Sequence, residues 1–345
     1  MSNNKLISRR NFLQIIAAGT VVGATAKFGS GALPQTKSVS ATRLLMGTVT
    51  NLTVISDDKA AAQTIIDATF NRMTALEEVL SRFKSESPLS QLNRSGQLDN
   101  AHPVLLTLIA QSRRLSERSG GAFDITVNPL VDLYQRHQAA NSFPSQTEIA
   151  AVLAKVDYRK IRINGEQIEF EQPGMSITLD GIAKGFIVDE GVKVLNDAGF
   201  ENVLVEAGGD LLASGQKSAG EAWQIGVQSP RKSQPGVLAR LTIKNQAVAT
   251  SGDYMQAFTR DLSHHHILDP RTGYSAPELA SATVIAPSTM LADGLATTAM
   301  VLGPQMGIAL INELPNCEAC LVDKNLQQFK TANYRALLDK EMFSG

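Results

Sequence analysis

Two glycine turns carry the residues best suited to handling a charged ligand. Asp180-Gly181-Ile182-Ala183-Lys184-Gly185 sets a carboxylate, an ammonium and two glycines where a helix begins. Free N–H groups at a helix start favour anions. In Gly208-Gly209-Asp210, the second turn, two residues without side chains allow another stretch of backbone to come close. An anionic ligand between these turns is the functional reading. The bland one is a strand–helix–strand unit whose glycines only make turns.

A third run, from Ser288 to Gly303, reads as a helix capped by Ser288 and apolar almost all round, hence buried. Asp293 lies inside it, where an unpaired carboxylate is costly, and Thr297 falls on the same face one turn on. A stacked carboxylate and hydroxyl suit a hard cation such as Mg²⁺, completed by backbone carbonyls and phosphate oxygens. The competing reading bonds Asp293 to nearby backbone or to an arginine. Three of the five histidines stand together at His264-His265-His266, so zinc has to be considered. Strand alternation lets only His264 and His266 share a face, and no third ligand has zinc spacing. His266 is better read beside a reacting phosphate, as a polar contact or base. Cys317 and Cys320 form a CxxC on a strand, where residues three apart face opposite ways, so they read as structural.

The elements that would position these groups follow from periodicity. In the central unit Ile187, Gly191, Val194, Leu195 and Ala198 recur at helical spacing, Gly199 stops the helix, and NVLVEA continues as a strand. A strand is expected before Asp180. Earlier, GTVTNLTVIS reads as a strand, and Asp57 or Asp58 caps a long helix with one apolar stripe from Ala62 to Leu80. Phe83 sits in a polar loop, as a core plug or a stacking platform. Pro103 opens another helix ending at Gly120-Gly121, and Ala122 to Pro129 reads as strand-like, with Asp124 a backbone cap or a ligand contact. Ser145 and Glu148 form a capping box for a helix through Val156. Downstream, short strands around Trp223, Val237–Ile243 and Ala247–Asp253 suggest antiparallel sheet, and His264–Gly273 a strand running into a turn.

Composition sets the outer limits. The 345 residues are 43% hydrophobic and 19% charged, enough for a sizeable core in one large domain or two moderate ones. A net charge of −1 argues against a nucleic-acid partner. No apolar run reaches the ~18 residues expected of a membrane span. Residues 1–35 read as a twin-arginine export signal: Ser8-Arg9-Arg10-Asn11-Phe12-Leu13 precedes a mildly apolar run, with Ala24-Thr25-Ala26 as a cleavage site. The expected destination is the periplasm, reached through the twin-arginine translocase. An uncleaved signal would hold the protein at the inner membrane.

These runs together resemble the ApbE family of FAD:protein FMN transferases. The resemblance is carried, in one order, by Met46-Gly47-Thr48, Ser81–Asn93, Gly121–Leu130, Asp180–Gly185, Glu206–Asp210, Ala247–Tyr254, His266–Gly273 and Ala292–Thr298. It implies one catalytic unit over residues 40–345, of α+β fold, with two related subdomains of largely antiparallel sheet and helices and FAD in the cleft between them. It also implies Mg²⁺ at the Ala183 carbonyl and the Asp293 and Thr297 side chains. Met46, Phe83, Ala122, Phe123, Asp124, Asp180, Lys184, Phe186 and Ile267 would line the FAD site, with His266 near the pyrophosphate. The implied reaction moves FMN from FAD to a threonine or serine of an acceptor protein and releases AMP. That acceptor would be a subunit of a membrane redox complex or a flavocytochrome. Lys184 would neutralise charge, and His266 or Asp269 would handle the hydroxyl proton. Hydrolysis of FAD to FMN and AMP, or flavin carriage without chemistry, are the alternatives.

Overall fold

The computed structural model describes residues 37–339 apart from Ala219. The export-signal reading, with Arg9 and Arg10, lies outside the described residues. The described residues open with a hairpin, β1 (Ser38–Leu45) and β2 (Thr48–Ile55), turned by Met46 and Gly47 at positive φ. Next is α1 (Lys59–Leu80), whose first turn is capped by Asp58 accepting the Ala61 N–H. An excursion follows: α2 (Pro88–Ser95), β3 (Gln97–Leu98), α3 (Pro103–Arg118), α4 (Asn128–Ala139), α5 (Gln146–Leu153), β4 (Ile161–Asn164) and β5 (Gln167–Phe170). The chain returns through α6 (Ala183–Asp197), β6 (Val203–Ala207) and β7 (Asp210–Ser214). The second part runs β8 (Trp223–Gln228), β9 (Val237–Ile243), β10 (Gln246–Gly252), β11 (Leu279–Ala286), α7 (Thr289–Asn312), β12 (Glu318–Asp323) and β13 (Gln328–Lys330).

Eight of the strands form one antiparallel sheet in the order β1-β2-β6-β7-β10-β11-β12-β13. The order falls into two halves of equal plan, each a hairpin, then helix, then a second hairpin, joined where β7 meets β10. The α+β class and the two related halves are therefore present, built edge to edge in a single sheet. The helices α1, α6 and α7 pack on one face over Val205, Ala207, Ala249, Val284 and Leu321. Alternate residues Val248, Ile285 and Cys320 face the other way, onto β8, β9 and Tyr334. Cys317 belongs to the helix-side core and Cys320 to the opposite one, both as free thiols. Strand alternation accounts for that separation. A third apolar cluster joins α4 and α5 to Leu268.

Some expected elements change character. Ile177–Leu179 is extended but joins no ladder, and Thr178 N–H simply donates to Ile125 O (2.8 Å). The piece from Ala122 to Pro129 is not a strand: a 3-10 turn at Ile125–Val127 runs into α4, with Pro129 in its first turn. Proline fixes φ near the helical value and lacks only an N–H that a first turn leaves unpaired. The His264–Gly273 segment is loop with isolated bridges. The Ser145–Glu148 capping box is present, and its helix stops at Leu153 rather than Val156. Against the expectation that no apolar run is long enough, helix α7 is long and apolar enough to cross a membrane; most of it is buried against the sheet. It is a core helix, kinked at Gly303-Pro304.

Candidate active site

The site forms where α6 and α7 begin, on the helix side of the sheet. The turn before α6 closes on Leu179, whose carbonyl accepts the Ile182 and Ala183 N–H groups (3.0 and 2.8 Å). It rests on α7 through Gly181, where a side-chain carbon would stand 3.1 Å from Thr297 Oγ1 and 3.5 Å from the Phe123 ring. A side-chain carbon there would be a tight fit, so glycine suits the close approach. Asp293 is buried, and its Oδ2 accepts the Gly185 N–H at 3.0 Å. Burial pushes this carboxyl above its ordinary range, while Lys184 and the Gly185 N–H pull it back. Thr297 Oγ1 lies 3.2 Å from Ser251 Oγ.

Lys184 points from the first turn of α6 to an ion pair with Asp210 at the start of β7. Asp210 is almost wholly buried, and its other oxygen accepts the Thr250 N–H (3.2 Å). Burial pushes the Lys184 ammonium below its usual range; the nearby carboxylates of Asp293 and Glu206 act in the opposite direction. The Gly208-Gly209 turn does not offer its amides to a ligand. Gly208 N–H donates to Val49 O (3.1 Å) and Gly209 N–H to Glu206 Oε1 (2.7 Å). Its contribution is Asp210, while Gly208 itself packs against the Thr48 side chain of the first hairpin. The two turns thus bring together alternating charges rather than a nest of N–H groups.

The donors that could hold a divalent cation are all oxygen. A buried carboxylate, a hydroxyl one turn along the same helix face and the tight backbone turn at Gly181–Ala183 match what Mg²⁺ binds. Among the described residues no three His, Cys, Asp or Glu side chains converge as a metal cluster.

The Phe83 ring is 72% exposed, so it plugs no core. Arg82 lays its guanidinium over that ring at 4.3 Å while its Nε holds Asp180 Oδ2 at 2.7 Å and its Nη1 reaches Asp132 at 3.6 Å. Arg82, Phe83, Asn93, Asn128, Asp132 and Ser176 line a cavity of about 420 Å³. Asp124 is a local cap: its carboxylate accepts the Thr126 N–H and hydroxyl and the Tyr158 N–H. Burial nevertheless pushes it up. It also borders a second cavity, about 460 Å³, with Tyr158, Arg159, Pro270 and Arg271. Ala122 and Phe123 are buried, Phe123 beside the Gly181 turn; Ile267 is buried, Phe186 packs half-buried on the core, and Met46 turns the first hairpin.

The three histidines separate. His264 packs its ring on Phe143 (4.2 Å between centroids). His265 is fully buried with Nε2 2.9 Å from Ala276 O. His266 sets Nδ1 3.3 Å from Gln256 O, and a carbonyl only accepts, so Nδ1 carries the proton and Nε2 keeps the lone pair. Burial lowers the His266 pKa, with Asp180 raising it and Arg82 lowering it, so these three lie within one field. Asp269 is committed elsewhere: its carboxylate holds Arg271 through Nε (2.9 Å) and Nη2 (2.8 Å). Sequence reasoning passed over Arg82 and Glu206 as site residues, and took Asp189 only as the polar side of a helix. Their signal was position, each lying within a few residues of a named motif.

Comparison with known proteins identifies the family. The sequence profile of the ApbE family matches residues 46–321. An FAD:protein FMN transferase of Vibrio cholerae is 31% identical over 306 residues, covering 86% of this chain and 91% of that protein. Another from Haemophilus influenzae is 30% identical over 337 residues, covering 93% and 96%. Among solved structures, the flavin transferase ApbE from Vibrio cholerae superposes with a TM-score of 0.75 at 29% identity, covering 88% of this chain and all of that one. The ApbE protein from Thermotoga maritima does so with a TM-score of 0.80 at 27% identity and the same coverage. This chain belongs to the ApbE family.

Proposed function

We propose that the protein is a periplasmic, Mg²⁺-dependent FAD:protein FMN transferase. The observation that carries the reading is the meeting of Asp293, Thr297 and Lys184 at the two helix starts, with Arg82, Asp180 and His266 within one field beside them. The relatives named above point to the same reaction.

In this reaction an acceptor hydroxyl oxygen bonds to the FMN phosphorus of FAD. The bridging P–O bond breaks, and AMP leaves with those electrons. His266, neutral and with Nε2 free, takes the hydroxyl proton. The Asp269–Arg271 pair leaves Asp269 less suited to that step and better suited to shaping the turn that follows His266. Lys184 offsets phosphate charge from the first turn of α6, and Asp210 aims its ammonium. Ala183, Asp293 and Thr297 would hold Mg²⁺, which when bound neutralises pyrophosphate charge in the transition state. Phe83 offers the ring face that Arg82 does not cover for the flavin to stack on.

The acceptor would be an exported protein bearing a threonine or serine, such as a subunit of a membrane redox complex or a flavocytochrome. Incubation with FAD, Mg²⁺ and such an acceptor tests the reading. Flavin covalently on the acceptor with equal AMP is the expected result. Free FMN and AMP would mark a pyrophosphatase, and unchanged FAD a carrier. Export is tested separately: Arg9→Lys with Arg10→Lys should leave the protein in the cytoplasm. Normal periplasmic accumulation of that variant would rule out the twin-arginine route.

A further inference from the structure

The two helices that carry the site cap one another. Their starts meet at Gly185, where a side-chain carbon would stand 2.4 Å from Thr289 O. Asp293, one turn beyond Thr289 on α7, accepts the Gly185 N–H of α6 at 3.0 Å. Asp189, one turn beyond Gly185 on α6, answers in kind. Its Oδ1 accepts the Thr289 N–H at 2.7 Å and its Oδ2 the Met290 N–H at 2.9 Å. Each helix lends a carboxylate to the first turn of the other.

The Asp189 contact does more than end a helix tidily. α7 already has a local cap, since Ser288 Oγ accepts the Leu291 N–H at 3.3 Å. The remaining N–H groups of a helix start are commonly satisfied by water. Here a mostly buried carboxylate takes them instead. Burial pushes Asp189 up to about 6 even though two helix N–H groups pull it down. Two hydrogen bonds from one carboxylate of α6 to consecutive amides of α7 fix geometry: they set the height and rotation of α7 against α6. That relation determines how far Asp293 and Thr297 stand from Ala183 and Lys184.

We propose that Asp189 is a positioning residue for the divalent-cation site, holding Asp293 and Thr297 in register with Ala183 through the Thr289 and Met290 amides. It does so without touching the cation, and the proposal rests on the reading of Ala183, Asp293 and Thr297 as the cation's donors. Outer partners that orient metal ligands typically change affinity by about 10–100-fold when removed.

The test titrates Mn²⁺, a spectroscopic stand-in for Mg²⁺, into the full chain without FAD. Free Mn²⁺ is read by electron paramagnetic resonance, and Tm is measured in EDTA alongside. Asp189→Ala should weaken Mn²⁺ binding by about 10–100-fold. Asp189→Asn, which keeps the shape and one acceptor oxygen, should fall between it and the wild type and covers the case in which the alanine variant does not fold. Ser288→Ala is the control: it removes a cap from the same helix, should lower Tm, and should leave Mn²⁺ affinity unchanged. The proposal is overturned if both Asp189 variants that fold bind Mn²⁺ like the wild type, or if Ser288→Ala weakens binding as much as Asp189→Ala. Asp293→Asn separates the layers. If it loses Mn²⁺ while the Asp189 variants keep it, only the positioning claim falls. If it too binds like the wild type, the cation reading falls with it.

Discussion

Phe83 shows what a single residue's surroundings decide. Its sequence context permits a core plug or a platform; its 72% exposure removes the core plug, and the platform is the reading proposed above. Phe83→Ala should therefore weaken FAD binding by roughly 1–3 kcal/mol, by analogy with base stacking on aromatic rings, and leave Tm nearly unchanged. An unchanged FAD Kd would contradict this. His265 makes a pH prediction. Burial lowers its pKa from 6.5 to about 4, against the Ala276 carbonyl that favours its proton. A depressed histidine favours the fold when neutral, so its contribution is complete above about pH 6.5 and is lost as pH falls towards 4. The loss amounts to roughly 3 kcal/mol. His265→Gln still donates to Ala276 and does not titrate, so its stability should fall less steeply between pH 6.5 and 4. Urea unfolding across that range checks it, and an identical slope would refute it. At this scale the sequence exposed residue types but not their partners. Asp124, Asp269 and Asp293 look alike as carboxylates near glycine turns. Only the fold shows that one caps a 3-10 turn, one holds an arginine, and one holds Gly185.

Among the elements, α6 and α7 matter most, and Gly185 is the point where they touch. Gly185→Ala would drive a methyl group onto Thr289 backbone, which cannot rotate away. The helices must part, costing about 1–3 kcal/mol in stability. A matching loss of transfer should follow, because Asp293 moves with α7. Thermal unfolding and initial rates check both, and an unchanged Tm would show that the crossing is loose. Long elements with one clean period were readable: the Asp58 cap, the stripe of α1, the capping box of α5 and the buried α7 all follow from side-chain spacing. Short ones were not. β1, with alternating small polar residues, lacks an apolar signature, and α2 hides in a serine-rich run whose Pro88 opens a helix instead of ending one. The His264–Gly273 segment has strand-like composition, but its backbone bonds go to Gln256, Phe258 and its own turn.

In the whole molecule, the two halves share a plan without a repeat visible in the residues. The equal order of hairpin, helix and hairpin emerges only when strands are paired. What both halves deliver is a helix start at the same place, one bringing Lys184 and the other Asp293. That convergence is the physical basis for reading the protein as a cation-dependent transferase. Asp293→Asn keeps the shape and removes the charge that would hold a hard cation, and an amide is cheaper to bury than an unpaired carboxylate. FMN transfer to an acceptor protein, measured as covalent flavin and released AMP against Mg²⁺ concentration, tests the reading most directly. The wild type should transfer with one AMP per flavin and stop in EDTA. Asp293→Asn should stay folded, lose transfer at ordinary Mg²⁺, and recover part of it at high Mg²⁺ or with Mn²⁺. A folded Asp293→Asn variant that transfers FMN at the wild-type rate in EDTA would contradict it.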